Sequence, residues 1–135
     1  MLTGKLINPD IMAALSRCGH GDQLLIADGN YPLNSRSGSA RKIFLALTPG
    51  IPAVTDVLAA VRSEIVVENA QVMAPADGSV PEIFSEFTEM LDGMELQRLN
   101  RYEFYDECCK SDVRVAISTG DQRRCANILL TIGVA

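Results

Sequence analysis

The sequence predicts an α/β fold with its sheet covered on both faces, and three observations carry that prediction. Segments of strand and helix character alternate through most of the chain. The strand segments are continuous apolar runs rather than alternating ones, as expected of strands buried on both sides. A chain of 135 residues with 47% hydrophobic and 21% charged side chains suits one globular unit with a real core, so residues 1–135 are taken as a single domain.

Each element follows from its own residues. Asn8 is a candidate N-cap, Pro9 stands at the first helical position and Asp10 places an acid in the first turn. Ile11, Met12, Ala14 and Leu15 form a stripe of helical period and Gly19 offers a C-cap, so a helix is expected from Pro9 to Cys18. Gln23 to Ala27 is an apolar run ending at Asp28, hence a buried strand, and Lys42 to Leu47 reads as the next one. Between them, Asn34 to Ala40 is a polar connection, and Thr48 to Pro52 is a turn. Val54, Val57, Leu58 and Val61 restore the helical period, followed by a β-branched strand from Ile65 to Glu68 with Gln71 to Met73 as its continuation. Ile83, Phe84, Phe87 and Leu91 mark a helix over Pro81 to Leu91, with Gly93 as its stop; Phe84 and Phe87 read as core. Glu95 to Leu99 is a candidate strand. Asn100 with Glu103 three residues on resembles a capping box and opens a helix ending near Lys110. Val113 to Ser118 is a strand, Thr119 to Arg124 a polar connection, and Asn127 to Val134 the closing strand.

Charge and composition exclude several function classes. Twelve Lys and Arg against 17 Asp and Glu give a net charge of −5, so no nucleic-acid partner is expected. The apolar stretches at Ile43 to Leu47 and Ile128 to Val134 are too short to cross a bilayer, and Met1 to Lys5 lacks the apolar region of a signal peptide. A cytoplasmic protein with no membrane partner is expected. Cys18, Cys108, Cys109 and Cys125 make no Cys-x-x-Cys pair, so thiols are expected rather than a metal site or a disulfide framework. No nucleotide-binding glycine loop is present and no cofactor is expected.

The chain has one histidine, His20. Histidine is the side chain whose ordinary pKa, about 6.5, lies near neutrality, which makes His20 the first candidate for moving protons. It sits between glycines on a helix-to-strand turn, where an accessible ring is expected, although an ordinary exposed loop histidine is the commoner case. Asp28 could bind a hydroxyl or polarise the imidazole, or start an Asx-turn before Gly29. Arg101 and Tyr105, four residues apart on one helix, could reach one site together; a solvated arginine and a half-buried tyrosine is the alternative. Cys125, Ala126 and Asn127 enter the last strand, where Asn127 is either structural or a hydrogen-bonding partner for a sugar or amide.

Taken together, Leu6-Ile7-Asn8-Pro9-Asp10-Ile11, Arg17-Cys18-Gly19-His20-Gly21-Asp22 and Ala27-Asp28-Gly29-Asn30-Tyr31-Pro32 resemble the N-terminal signature of the ribose pyranase and fucose mutarotase (RbsD/FucU) family. Asn100-Arg101-Tyr102-Glu103-Phe104-Tyr105 and Ala126-Asn127-Ile128-Leu129-Leu130 followed by Gly133-Val134 are similar to its C-terminal signature. The resemblance implies a three-layer α/β/α sandwich with a mixed, mostly parallel sheet. It implies a cofactor-independent isomerase that interconverts the anomers, or the pyranose and furanose forms, of a free monosaccharide such as L-fucose or D-ribose.

In that family the histidine matching His20 is the acid/base residue. The aspartate matching Asp28 binds the sugar and Asn127 is carried over with it, and Arg101, Tyr105, Cys125 and Ala126 are the further candidate substrate-binding residues. A homo-oligomer, commonly a decamer with sites near subunit contacts, is also implied. Arg101 follows the fucose-type pattern, while the Thr48 to Pro52 turn follows the ribose type. The sequence departs from the family at Cys125, where a tyrosine is usual. Either the substrate differs, Tyr31 or Tyr105 takes over the phenol's role, or activity is reduced. A non-catalytic sugar-binding accessory of uptake is the main alternative function, and a phosphocarrier using His20 a third.

Overall fold

A computed structural model describes residues 1–135 throughout. The Asn8 side chain accepts a hydrogen bond from the Ile11 N–H (3.0 Å) and starts α1, Pro9–Leu15, with Ile11, Ala14 and Leu15 buried. The helix stops at Leu15, not at Cys18, and its C-cap is Ser16, not Gly19. The reason is local: Leu15 is the last buried residue of the stripe, and Arg17 and Cys18 already donate to carbonyls three residues back. The strands and helices that follow are β1 (Gln23–Ala27), β2 (Arg41–Phe44), α2 (Val54–Arg62), β3 (Val67–Met73) and α3 (Ile83–Met90). β4 (Gln97–Leu99), α4 (Arg101–Cys108), β5 (Val113–Ser118) and β6 (Ile128–Ile132) complete the order.

β1 and β5 have the expected bounds, and the other differences are at element ends. β2 ends at Phe44, short of Leu47, because Leu47 N–H turns to the Ile51 carbonyl and closes the following turn. The two pieces expected around Ile65 to Met73 are one strand, β3, which begins at Val67. β6 stops at Ile132 because the Gly133 N–H leaves the ladder for the Val66 carbonyl.

The sheet runs β2-β5-β1-β6-β3-β4. β1 and β2 pair parallel to β5, β3 pairs parallel to β4, and β6 lies antiparallel between β1 and β3. Successive strand residues serve opposite faces, which is why the central strands read as unbroken apolar runs. Leu24, Ile26, Val115, Ile117, Ile128 and Leu130 pack under α1, α2 and α3, whose inner residues include Leu58, Phe84 and Phe87. Leu25, Ala27, Ala116 and Leu129 face the other way, against Phe104, Tyr105 and Cys108 of α4 and Tyr31 and Leu33 of the loop after β1. The three-layer α/β/α arrangement with a mixed, mostly parallel sheet is therefore present.

One edge of the sheet gathers the carboxyl ends of the five parallel strands and the start of β6. Such an edge is where open α/β sheets hold ligands. Its loops lie in close contact. Gly50 N–H donates to the Gly120 carbonyl and Gly120 N–H to the Pro52 carbonyl, at 2.6 and 3.0 Å. A Cβ on Gly120 would lie 2.6 Å from the Thr48 carbonyl oxygen and 2.7 Å from that of Ile51, both backbone atoms that cannot swing aside. Gly120→Ala is expected to destabilise the protein by roughly 1–3 kcal/mol, read as a lower urea midpoint with an unchanged slope.

Candidate active site

Asp28 follows β1 and is 4% exposed. Its Oδ1 accepts from the N–H groups of Asn30 (3.0 Å) and Tyr31 (2.9 Å), and its Oδ2 from Ala126 N–H (3.2 Å). The Asx-turn reading is thus realised, and the same carboxylate reaches the loop before β6. Asn127 answers from that side: its Oδ1 accepts the Asp28 N–H at 2.8 Å. Burial pushes the Asp28 carboxyl above its usual range, with these hydrogen bonds opposing the rise.

The Asn100 cap sets the next wall. Its Oδ1 accepts from Glu103 N–H while Glu103 Oε1 accepts from Asn100 N–H, the reciprocal box that the sequence pattern predicts. α4 therefore begins with Arg101, one turn before Tyr105, and the Arg101 Nε donates to the Tyr105 hydroxyl at 3.0 Å. The Tyr105 ring meets the edge of Tyr31 at 5.4 Å, and the guanidinium of Arg36 lies 5.5 Å from its centroid. Tyr31 donates its own hydroxyl to the Arg36 carbonyl (2.8 Å), and burial pushes that phenol well above its ordinary pKa. Both tyrosines line the cavity; the Tyr31 hydroxyl is committed to a backbone carbonyl, whereas the Tyr105 hydroxyl accepts from Arg101.

These groups enclose a cavity of about 270 Å³ lined by Asp28, Arg101, Tyr105, Cys125 and Asn127, with Asn30, Tyr31, Met73, Gln122 and Arg124 completing it. The volume is near the small end for small-molecule sites, and the lining is unusually polar. Cys125 adopts φ 57°, the left-handed region uncommon for a side-chain-bearing residue. Burial pushes its thiol up, with Arg124 opposing, so the group present is a thiol and a weak hydrogen-bonding partner. Ala126 is buried and contributes its N–H to Asp28 rather than a side chain.

His20 is elsewhere. It precedes β1, and Gly21 and Asp22 pair with Ile132 at the end of β6, which places the imidazole at the amino edge of the sheet. β1 has 5 residues, so at about 3.3 Å per residue His20 and the cavity of the same chain are separated by roughly 16 Å or more. The ring is 57% exposed, as its glycine neighbours suggest, and the acid beside it is Glu68 at 2.9 Å, not Asp28.

Of the residues singled out in the sequence, the structure brings Asp28, Arg101, Tyr105, Cys125 and Asn127 to one cavity, with Ala126 buried and bonded to Asp28 through its N–H, and His20 at the opposite edge. Sequence reasoning misses Glu68, which pairs with His20 from 48 residues away. It also misses Arg36 and Met73, which carry no local signal, and Gln122 and Arg124, whose adjacency to Cys125 is a usable one.

The profile of the RbsD / FucU transport protein family matches residues 1–135. The chain belongs to the RbsD/FucU family. It is 35% identical to the D-ribose pyranase of Paracidovorax citrulli over 136 residues, covering 96% of this chain and 95% of that one. The D-ribose pyranase of Yersinia pestis strain Pestoides F is 33% identical over 141 residues, 99% of each chain. Among solved structures, Bacillus subtilis RbsD complexed with D-ribose aligns with a TM-score of 0.86 at 29% identity, covering 100% of this chain and 99% of that one. The Streptococcus pneumoniae fucose mutarotase in complex with L-fucose aligns with a TM-score of 0.80 at 26% identity, covering 96% and 94%.

In this RbsD/FucU chain, Asp121 holds the loop behind the cavity. It is 3% exposed; its Oδ2 accepts from Val54 N–H at the start of α2 (3.0 Å), and its Oδ1 accepts from the Nε and backbone N–H of Arg123. Burial alone would raise its carboxyl, but the Arg123 and Val54 bonds bring it below the usual carboxylate range. A depressed carboxyl stabilises the fold at pH values above its unfolded pKa and stops doing so as pH falls through the folded value. Asp121→Asn should therefore flatten the loss of stability below about pH 4, measured as Tm against pH, relative to the parent protein.

Proposed function

We propose that this protein is a cofactor-independent monosaccharide mutarotase, interconverting the anomers, or the pyranose and furanose forms, of a free aldose of the D-ribose or L-fucose type. The observation that carries the reading is the cavity at the carboxyl edge, lined by Asp28, Arg101, Tyr105 and Asn127. Neutral sugars are held by directional hydrogen bonds in preformed pockets, and this lining supplies donors from Arg101 and Asn127 and acceptors from Asp28 and Asn127. Family membership and relatives named D-ribose pyranase and fucose mutarotase support the same reaction class.

The chemistry needs one reversible proton relay. A base removes the proton from the anomeric hydroxyl while an acid delivers one to the ring oxygen. The bond from the anomeric carbon to the ring oxygen breaks, and an open-chain aldehyde forms. Rotation about the next carbon–carbon bond presents the other carbonyl face, and the same transfers in reverse close the ring. His20 is the group proposed for these transfers, with Asp28, Arg101, Tyr105 and Asn127 fixing the hydroxyls. Positioned acid–base catalysis supplies roughly 10²- to 10⁴-fold, enough for a reaction that proceeds slowly unaided.

His20 and the cavity lie at opposite edges of one chain, so the reading requires that His20 of one subunit complete the cavity of another. Residues 1–135 then act as one catalytic domain in a cytoplasmic homo-oligomer, of which the family's decamer is the expected form. No helix is long and apolar enough to cross a membrane.

Saturation-transfer NMR across pentoses and 6-deoxyhexoses should show accelerated exchange for at least one sugar; none accelerated over buffer, with binding retained, would leave the uptake-accessory alternative in its place. His20→Ala should abolish acceleration with Tm little changed. Mixing His20→Ala with Asp28→Ala subunits, each inactive alone, should restore activity in about a quarter of the shared sites if assembly is random. A second expectation concerns the departure at position 125: Cys125→Tyr should raise the exchange rate, because it returns a phenol to the cavity mouth, and a rate at or below that of the parent would count against that role.

A further inference from the structure

We infer that Glu68 is a positioning residue for His20, holding the imidazole as the tautomer with hydrogen on Nε2 and leaving Nδ1 as the atom that takes the substrate's proton. The inference rests on the reading of His20 as the proton relay. His20 Nε2 lies 2.9 Å from Glu68 Oε2. An ionised carboxylate only accepts hydrogen bonds, so the ring nitrogen facing it must carry hydrogen, and in the neutral ring the lone pair falls on Nδ1. Carboxylates that orient histidines which bind metals act in the same way on tautomer and ring angle.

Both partners are held in place by the backbone. Gly19 N–H donates to the Asp22 carboxylate (2.8 Å), Gly21 N–H to the Ile132 carbonyl (2.9 Å) and Ile132 N–H to the Asp22 carbonyl (2.9 Å), so the turn bearing His20 is closed on itself and tied to the end of β6 through the two residues that follow the ring. Gly21 takes φ +89°, which that turn needs. On the other side of β6, Gly133 N–H donates to the Val66 carbonyl and sets the start of β3, where Glu68 sits. A Cβ on Gly133 would lie 3.2 Å from the Glu68 Cβ and 3.5 Å from its Oε2, so the missing side chain keeps the space beside the pair open.

The other carboxylates nearby are occupied: Asp22 by the Gly19 N–H, and Glu64 by the Ser63 hydroxyl (3.0 Å). Glu68 is the carboxylate that stands within hydrogen-bond distance of the ring. With side-chain exposures of 57% and 43%, the pair adds little to stability. Its consequence is direction: Nε2 is turned to Glu68 on β3, and Nδ1 is the ring nitrogen left for the substrate's proton.

The single histidine makes the test direct, because a long-range proton–nitrogen correlation spectrum of the ¹⁵N-labelled protein contains one imidazole. At a pH where the ring is neutral, the parent protein should show the Nε2–H tautomer essentially alone, and Glu68→Ala should add a resolved Nδ1–H population at unchanged fold by circular dichroism. In exchange assays Glu68→Ala should lower kcat roughly tenfold with KM little changed. The same tautomer ratio in both proteins would overturn the inference, and so would a shifted ratio with kcat unchanged. Absence of exchange in the parent protein for every sugar would instead remove the mutarotase reading, while the tautomer result would still report on the Glu68 contact.

Discussion

Asp28 carries a carboxylate where water scarcely reaches, and such a group is tolerable only when hydrogen bonds replace the lost solvent. Asn30, Tyr31 and Ala126 supply them from the backbone, and Asn127 closes the circuit on the Asp28 amide. The loops after β1 and before β6 are thereby fastened to each other. Tyr31 is set by the first of them, its ring meets Tyr105, and Tyr105 in turn engages Arg101. The loops on either side of the cavity therefore trace back to one carboxylate and the amides around it, and the Tyr31 ring joins them to the Arg101–Tyr105 wall that the Asn100 cap sets.

The second organising element is β6. As the strand that runs against its neighbours, it begins at the cavity and ends beside His20. The candidate proton carrier and the candidate sugar cradle are held by opposite ends of the same short ladder. Strand geometry fixes their separation within one chain, so no rotation of side chains can bring them together. That rigidity is why the proposed chemistry needs more than one copy of the chain.

Much of the fold was legible because its cues are local. Asn8-Pro9, the Asn100–Glu103 box and the apolar runs at Gln23 to Ala27 and Val113 to Ser118 each encode a short-range preference that the tertiary structure keeps. Strand ends such as Phe44 and Ile132 were not legible, since they depend on which carbonyl a distant amide finds. The site divides in the same way. Asp28, Arg101 and Asn127 stand on element boundaries that the chain announces, Tyr105 stands one turn into an announced helix, and the family resemblance weighted them. Glu68 announces nothing: it reads as one acid in a β-branched run, and it meets His20 only because β6 is inserted between β1 and β3.

Position 125 has a consequence for how such a protein changes over time. Its backbone is held by neighbours, with Ala126 fastened to Asp28 and Asn127 fixed through its side chain, while its own side chain projects into the cavity and packs only in part against the core. A residue that lines the cavity yet carries little of the scaffold can be exchanged at small cost to folding for any residue that tolerates its left-handed backbone, which leaves β-branched residues out.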